Sequence, residues 1–191
     1  LVRQFIAAKG PDEEWLTVAH YLLGVALVLK EQPEQGRAEL ERADRLSRLH
    51  GFPAMRARCL AALSEQSLAR GDTRRACEYI VEAREALARY RLDHITTSAP
   101  VFVASARCSL AQGRLAEARD EARQALRLTS LMRIMGPLNE VYSRLALANL
   151  FLALGDHAQS VVLLADAQAA YGPANRSPLG DRMMAETLQR L

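Results

Sequence analysis

Lysine is almost missing from this chain: Lys9 and Lys30 are the only two, so arginine supplies nearly all of the 25 basic residues. Against them stand 22 acidic residues, for a net charge of +3. The two signs are interleaved, as in RAELER at 37–42 and EARDEAR at 117–123, which is how solvated helices carry i,i+4 pairs. A dedicated nucleic-acid reader needs basic residues gathered on one face beside a docking motif, and no such clustering is present. Direct nucleic-acid contact is therefore not expected. Aromatic residues make up only 5% of the chain and the β-branched residues never alternate. Alanine, leucine, arginine and glutamate dominate instead, a balance that predicts helices throughout and no strand. Cysteine is sparse and odd in number. Cys59, Cys77 and Cys108 each sit in an apolar helical pattern and read as small buried thiols, in keeping with a reducing, cytoplasmic compartment. The longest apolar stretches, near 18–29 and 145–154, are too short or too interrupted to span a bilayer, and no secretory signal precedes them. The expectation is a soluble protein without membrane contact.

Local catalytic signatures are missing too. There is no glycine-rich phosphate loop, no paired-cysteine zinc spacing and no histidine–glutamate zinc helix. His20, His50, His94 and His157 are dispersed, without a cysteine, carboxylate or second histidine at ligand spacing. Each is read as a helix-surface or loop-end residue. The reading is of a protein that is not an enzyme, with no catalytic residue, no metal and no cofactor.

What the chain does have is an internal repeat. LARGD at 68–72, LAQGR at 110–114 and LALGD at 152–156 recur at one constant spacing, which sets their glycines at 71, 113 and 155. A degenerate copy, VLKEQ at 28–32, precedes Gly71 at nearly the same interval. Five positions after each turn comes a small residue: Gly36, Ala76, Ala118, Ser160. Seven further on comes another: Ala43, Ala83, Ala125, Ala167. Seven before each turn come Gly24, Ser64, Ala106 and Ala148. Small residues at these offsets let two antiparallel helices approach closely on either side of a tight turn, with glycine closing the first helix. Asp72 and Asp156, directly after the turn glycines, are placed to cap the second helix. One hairpin cannot bury its own apolar face, so copies must stack.

The pattern resembles the tetratricopeptide repeat, whose small, glycine and alanine positions fall at the same mutual offsets. The resemblance implies an all-α chain, an α-α superhelix of tetratricopeptide-like helical hairpins. It departs from the usual repeat in its longer period, 40–42 from turn to turn, and in having leucine or alanine at most of the large aromatic positions. The extra length falls after the second helix, near 50–53, 91–100 and 135–137. Helices are predicted near 2–9, 13–30, 34–50, 54–70, 73–92, 98–112, 115–132, 138–154, 157–171 and 178–190. They are grouped as one repeat domain over 1–191. Residues 1–10 are the tail of a preceding repeat; 11–52, 53–94, 95–136 and 137–175 are four hairpins; 176–191 opens a fifth, with Pro178 suited to its first turn. The chain starts at Leu1 rather than methionine and stops within a helical pattern, so a fragment of a longer protein is expected.

In tetratricopeptide stacks the first helix of each hairpin lines a concave groove, and the small-residue register places that face here. One row runs Val25, Glu65, Arg107, Asn149; a second Val18, Arg58, Pro100, Tyr142; a third Tyr21, Ala61, Val103, Leu145. Residue type varies along these rows while the packing positions stay small, as on a scaffold carrying a grafted site. Tyr21, Arg58, Glu65, Arg107, Tyr142 and Asn149 are the candidate contacts for a ligand or partner in the groove. The other reading is of solvated groove residues, with Glu65 and Arg107 pairing across neighbouring helices, and the sequence leaves both open. The apolar run at 131–135, LMRIM, reads as inter-repeat packing rather than a partner patch.

The long arginine- and alanine-rich repeat, with Gly-Asp or Gly-Arg between its helices and paired alanines in the second helix, is similar to the sensor region of large ATP-binding bacterial LuxR-type regulators, the group that includes the maltose-regulon activator. The stretch 158–168 followed by Tyr171-Gly-Pro resembles the last hairpins of such regions. In that family an ATP-binding module precedes the superhelix and a DNA-binding helix-turn-helix follows it; this segment contains neither. The resemblance implies a regulatory segment that captures a protein, a peptide or a small-molecule inducer in its groove, and a homo-oligomer through the repeat array. A constitutive scaffold holding a partner helix or tail is the rival reading. A peptide-pheromone receptor is a third, disfavoured because Asn149 is the only asparagine in its groove row.

Overall fold

The computed structural model describes residues 14–130, 137–172 and 178–191. The helix predicted at 2–9 and the apolar run at 131–135 lie outside the described residues. Among those described there is no strand, and nine α-helices follow in order: α1 (Glu14–Leu29), α2 (Pro33–Leu49), α3 (Pro53–Ala69), α4 (Thr73–Arg89), α5 (Ala99–Ala111), α6 (Leu115–Ser130), α7 (Pro137–Ala153), α8 (His157–Ala170) and α9 (Pro178–Arg190). A single 3₁₀ turn, Thr96–Ser98, precedes α5. The chain forms two compact units, Leu1–His94 and Ile95–Leu191. In the first, α1 pairs with α2 and α3 with α4, while α2 meets α3. In the second, α5 pairs with α6 and α7 with α8, and α9 lies on α7 and α8.

Each corner is built the same way. Gly71, Gly113 and Gly155 take φ of 78°, 74° and 79°, and Glu31, at the degenerate copy, takes 60°. The amide of the next residue then reaches back five positions: Gln32 to the Leu27 carbonyl (2.9 Å), Asp72 to Ser67 (2.9 Å), Arg114 to Ser109 (2.8 Å) and Asp156 to Phe151 (2.9 Å). This is the left-handed helix stop that satisfies the last carbonyls of the first helix. In three of the four hairpins the second helix is then opened in one of two ways. Asp72 and Asp156 accept from the amides of Arg75 and Gln159 at 3.0 Å each, whereas α2 begins on Pro33, whose missing N–H is no loss in a first turn. The same stop closes two of the second helices, at Gly51 (φ 66°) and Arg91 (φ 53°). The latter explains why α4 ends at Arg89 and not near 92: Leu92 donates to the Leu87 carbonyl at 2.9 Å, and no glycine marks that stop.

All twelve small positions of the repeat are buried. In the first hairpin the helices meet backbone to backbone, and a Cβ added to Gly36 would lie 2.8 Å from the Gly24 carbonyl oxygen. In the fourth hairpin the equivalent pair makes a hydrogen bond instead, Ser160 Oγ donating to the Ala148 carbonyl at 2.9 Å.

Polar groups enter the hairpin cores at particular repeats, and one of them corrects the reading of the histidines. His20 is not on a helix surface: it is 3% exposed, and its Nδ1 lies 2.5 Å from Glu39 Oε2 on α2. Burial of the imidazole is tolerated because the carboxylate satisfies it. In the third hairpin Ser105 Oγ donates to Glu121 Oε1 at 2.5 Å and Ser109 Oγ to its other oxygen at 3.3 Å. Across α2, α3 and α4, the buried Asp44 pairs with Arg48 (2.6 Å) and Arg56 (3.5 Å), and Arg56 with Glu82 (2.8 Å).

Cys59 and Cys108 are buried and Cys77 is half-buried, all three free thiols. Burial, and then the Asp44 carboxylate, pushes the Cys59 thiol up to about 12. A thiol raised above its ordinary value of about 8.5 favours the protonated folded form. Its contribution to stability is thus complete below about pH 8.5 and is lost as pH rises through about 12. With iodoacetamide at mildly alkaline pH, Cys77 is expected to alkylate in the native protein, and Cys59 only after unfolding; mass spectrometry of the peptides distinguishes them. Modification of Cys59 at the rate of Cys77 would contradict its burial.

Candidate functional site

The first helices position the candidate contacts, and each unit presents its own set. In Leu1–His94 these come from α1 and α3. Val18, Val25, Arg58 and Glu65 are half-buried. Tyr21 is 8% exposed and lies beneath Arg58: the guanidinium carbon is 4.6 Å from the ring centroid, and Nη2 donates to the phenol oxygen at 3.5 Å. The sequence offset between the two helices brings them together, since Tyr21 and Arg58 occupy successive first helices on facing turns. The stack holds a cation at the partly open surface with its apolar side covered, an arrangement suited to an anionic or hydrogen-bond-accepting group.

In Ile95–Leu191, Pro100, Arg107, Tyr142 and Asn149 on α5 and α7 are half-buried. Asn149 is engaged inside the fold. Its Nδ2 donates to the Leu145 carbonyl (3.0 Å) and to Thr187 Oγ1 (2.9 Å), and its Oδ1 accepts from Arg190 Nη1 at 3.2 Å. The Thr187 hydroxyl in turn donates to the Met183 carbonyl at 2.9 Å. Thr187 and Arg190 are absent from the sequence-based candidates, though the register could have found them: they stand one repeat after Leu145 and Ala148. The third groove row separates from the other two. Ala61 and Leu145 are shut in the core, as Tyr21 is, and only Val103 is half-buried. That row packs helices together; the first two carry the accessible side chains.

Among the described residues, no three histidine, cysteine or acidic side chains gather to hold a metal ion. No described helix is long and apolar enough to cross a membrane.

Solved structures share this arrangement of hairpins. The crystal structure of BtubC (BKLC) from P. vanneervenii superposes with a TM-score of 0.54 at 18% identity, over 84% of this chain. A putative kinesin light chain from Podospora anserina, described as having nearly identical TPR-like repeats, gives 0.54 at 18% identity, covering 93% of this chain and 89% of that one. The fold is TPR-like. A point variant of the same Podospora protein gives 0.55 at 17% identity, over 93% and 88%. This TPR-like chain spans 65% of the length of BtubC. No protein-family model matches the sequence, and no curated protein matches it. At these identities the likeness defines the hairpin architecture. The lengthened repeat is accommodated there by the left-handed stops after α2 and α4 and by the segment that carries the 3₁₀ turn before α5.

Proposed function

We propose that this chain is a non-catalytic binding module whose first-helix faces hold a segment of a partner protein. The observation that carries this reading is the contrast within one register. The packing positions are small and buried in every hairpin, while the neighbouring half-buried positions are Val, Glu, Arg and Asn in one row and Val, Arg, Pro and Tyr in the other. A scaffold under packing constraint alone has no use for Arg58 and Glu65 two turns apart on one helix. Arg58, backed by Tyr21, supplies a fixed cation and Glu65 a carboxylate; in the second unit Arg107 and Tyr142 supply a cation and a phenol, while Asn149 is committed to Thr187 and Arg190.

The finer form of this proposal is that the module is the regulatory segment of a bacterial LuxR-type regulator acting in the cytoplasm. Its support is the lengthened arginine- and alanine-rich repeat. Occupation of the face by an inducer or a partner would shift the protein between resting and oligomeric states by differential affinity for the two. A constitutive scaffold would bind without such a shift. The neighbouring gene sequence separates these forms: a phosphate loop upstream and a helix-turn-helix downstream fit the regulator, and their absence would remove it.

A thermal-shift screen of peptides, sugars and other metabolites tests the common part. A ligand at a hundredfold excess over its Kd stabilises the folded state by about 2.7 kcal/mol. Arg58→Ala, or Arg107→Ala for a ligand on the second unit, is expected to weaken binding about tenfold, as loss of a central arginine anchor does. Affinity unchanged in Arg58→Ala, Arg107→Ala and Tyr142→Ala alike would remove the first-helix faces as the site.

A further inference from the structure

Away from the first-helix faces, the unit Ile95–Leu191 contains a cleft of about 550 Å³ between α6 and the corner joining α7 to α8. One wall is made by Arg119 and Arg123 of α6; the other by Phe151 and Leu154 at the end of α7, with Asp156 and His157 at the corner.

Packing does not ask for these arginines. At the same register one repeat earlier stand Cys77 and Val81, and one repeat later Val161 and Ala165. Arg127 continues the series, and it too is replaced at equivalent positions, by Glu85 and Ala169. Arg119, Arg123 and Arg127 recur every fourth residue, so they share one face of α6 and advance about 6 Å per step. All three are exposed to solvent. Arg119 has no ion-pair partner among the described residues. Among the described residues Arg123 pairs with Asp120 at 2.9 Å, both largely in water, a contact that a ligand can displace at little cost. The cleft thus presents two guanidiniums against one carboxylate. That carboxylate, Asp156, is already committed to the Gln159 amide. His157 Nδ1 donates to the Gly155 carbonyl at 3.3 Å, which holds the ring at the rim.

Planar guanidiniums one helical turn apart fit carboxylate or phosphate oxygens, which they can grip bidentately. Two features choose between the sources of such an anion. The arginine row runs on to Arg127, past the cleft, so the anion is part of something elongated rather than a free ion. Asp120 and Asp156 interrupt the positive line and Phe151 and Leu154 border it, which suits a chain of mixed acidic and apolar side chains better than unbroken phosphodiester. We propose that this cleft is a second binding site, which takes an acidic peptide segment of a partner protein: a carboxylate is held between Arg119 and Arg123, and an adjacent apolar side chain covers the narrow floor left by the otherwise buried Phe151 and Leu154.

The test is fluorescence anisotropy with a short labelled peptide of glutamate and leucine, alongside the same peptide with lysine in place of glutamate. The intact chain is expected to bind the glutamate peptide and not the lysine one. Affinity should fall about tenfold or more in the Arg119→Ala/Arg123→Ala double variant and should drop with added salt. Because both arginines are exposed, the double variant should keep the wild-type circular dichroism and melting temperature. Arg74→Ala, which removes an exposed arginine outside both proposed sites, should leave this binding unchanged. Equal binding by the double variant would overturn the proposal. So would displacement of the peptide by inorganic phosphate at matched ionic strength, which means a small-anion site only, or tighter binding of a single-stranded oligonucleotide.

Discussion

Leu145→Ala is expected to lower the unfolding free energy by about 2–5 kcal/mol, the range for truncating a fully buried leucine. Leu145 has no exposed surface and belongs to a cluster with Val141, Leu164, Ala167 and Met184. That cluster joins α7 to α8 and to α9, so the cavity left by the deleted atoms would loosen the seat of the last helix as well as the hairpin. The Leu145 carbonyl also receives the Asn149 amide, a bond that survives the substitution. Denaturant unfolding followed by circular dichroism measures the loss. The outcome bears on function, because a leucine facing an open groove could be truncated for about half a kcal/mol or less. A change that small would return the third row to the ligand face.

Gly36→Leu should do comparable damage by the opposite route, costing about 3 kcal/mol. A Cβ at Gly36 would stand 2.6 Å from Val28 Cγ2 and 2.8 Å from the Gly24 carbonyl oxygen. The valine can rotate, but the carbonyl belongs to a helix and can move only if α1 and α2 separate. The remaining leucine atoms would enlarge that separation along the whole hairpin, including the His20–Glu39 contact that depends on it. Thermal melting of the variant beside wild type provides the check. A melting temperature within a degree or so of wild type would mean that the helices are not in backbone contact there.

These two sites show what the sequence makes readable. Close helix approach requires small side chains, so Gly24, Gly36, Ala83, Ala125 and their equivalents carry the architecture in their identity alone. The corners are readable through glycine, and the register extends that reading to Glu31, where no glycine stands. At Arg91 no glycine marks the left-handed residue, and the predicted helix end overshoots the true one at Arg89, although the interval from Glu31 to Gly71, applied to Gly51, points to it. Burial of His20 is hidden for another reason: its partner Glu39 is distant in sequence on the neighbouring helix, and within its own helix it looks like a lone polar residue. The candidate contacts are legible as positions on a face. What engages them is not, since the Tyr21–Arg58 stack and the Asn149–Thr187–Arg190 contacts join side chains nearly a full repeat apart. The arginines of α6 look like ordinary solvated pair partners in the sequence, because interleaved charge reads the same whether or not a cleft lies beside it.

The two kinds of glycine in this chain answer to different physics, and stereochemistry tells them apart. A Cβ added at Gly71, Gly113 or Gly155 would meet nothing within 4 Å; it is refused only because an L-residue dislikes positive φ. A mirror-image alanine placed there by chemical synthesis would occupy its own preferred conformation and restrict the unfolded chain, tightening the corner rather than straining it. At Gly36 what an added L side chain lacks is space. Gly71 and Gly113 are therefore the places where the backbone can be reinforced away from the proposed cleft, whose lining includes Gly155.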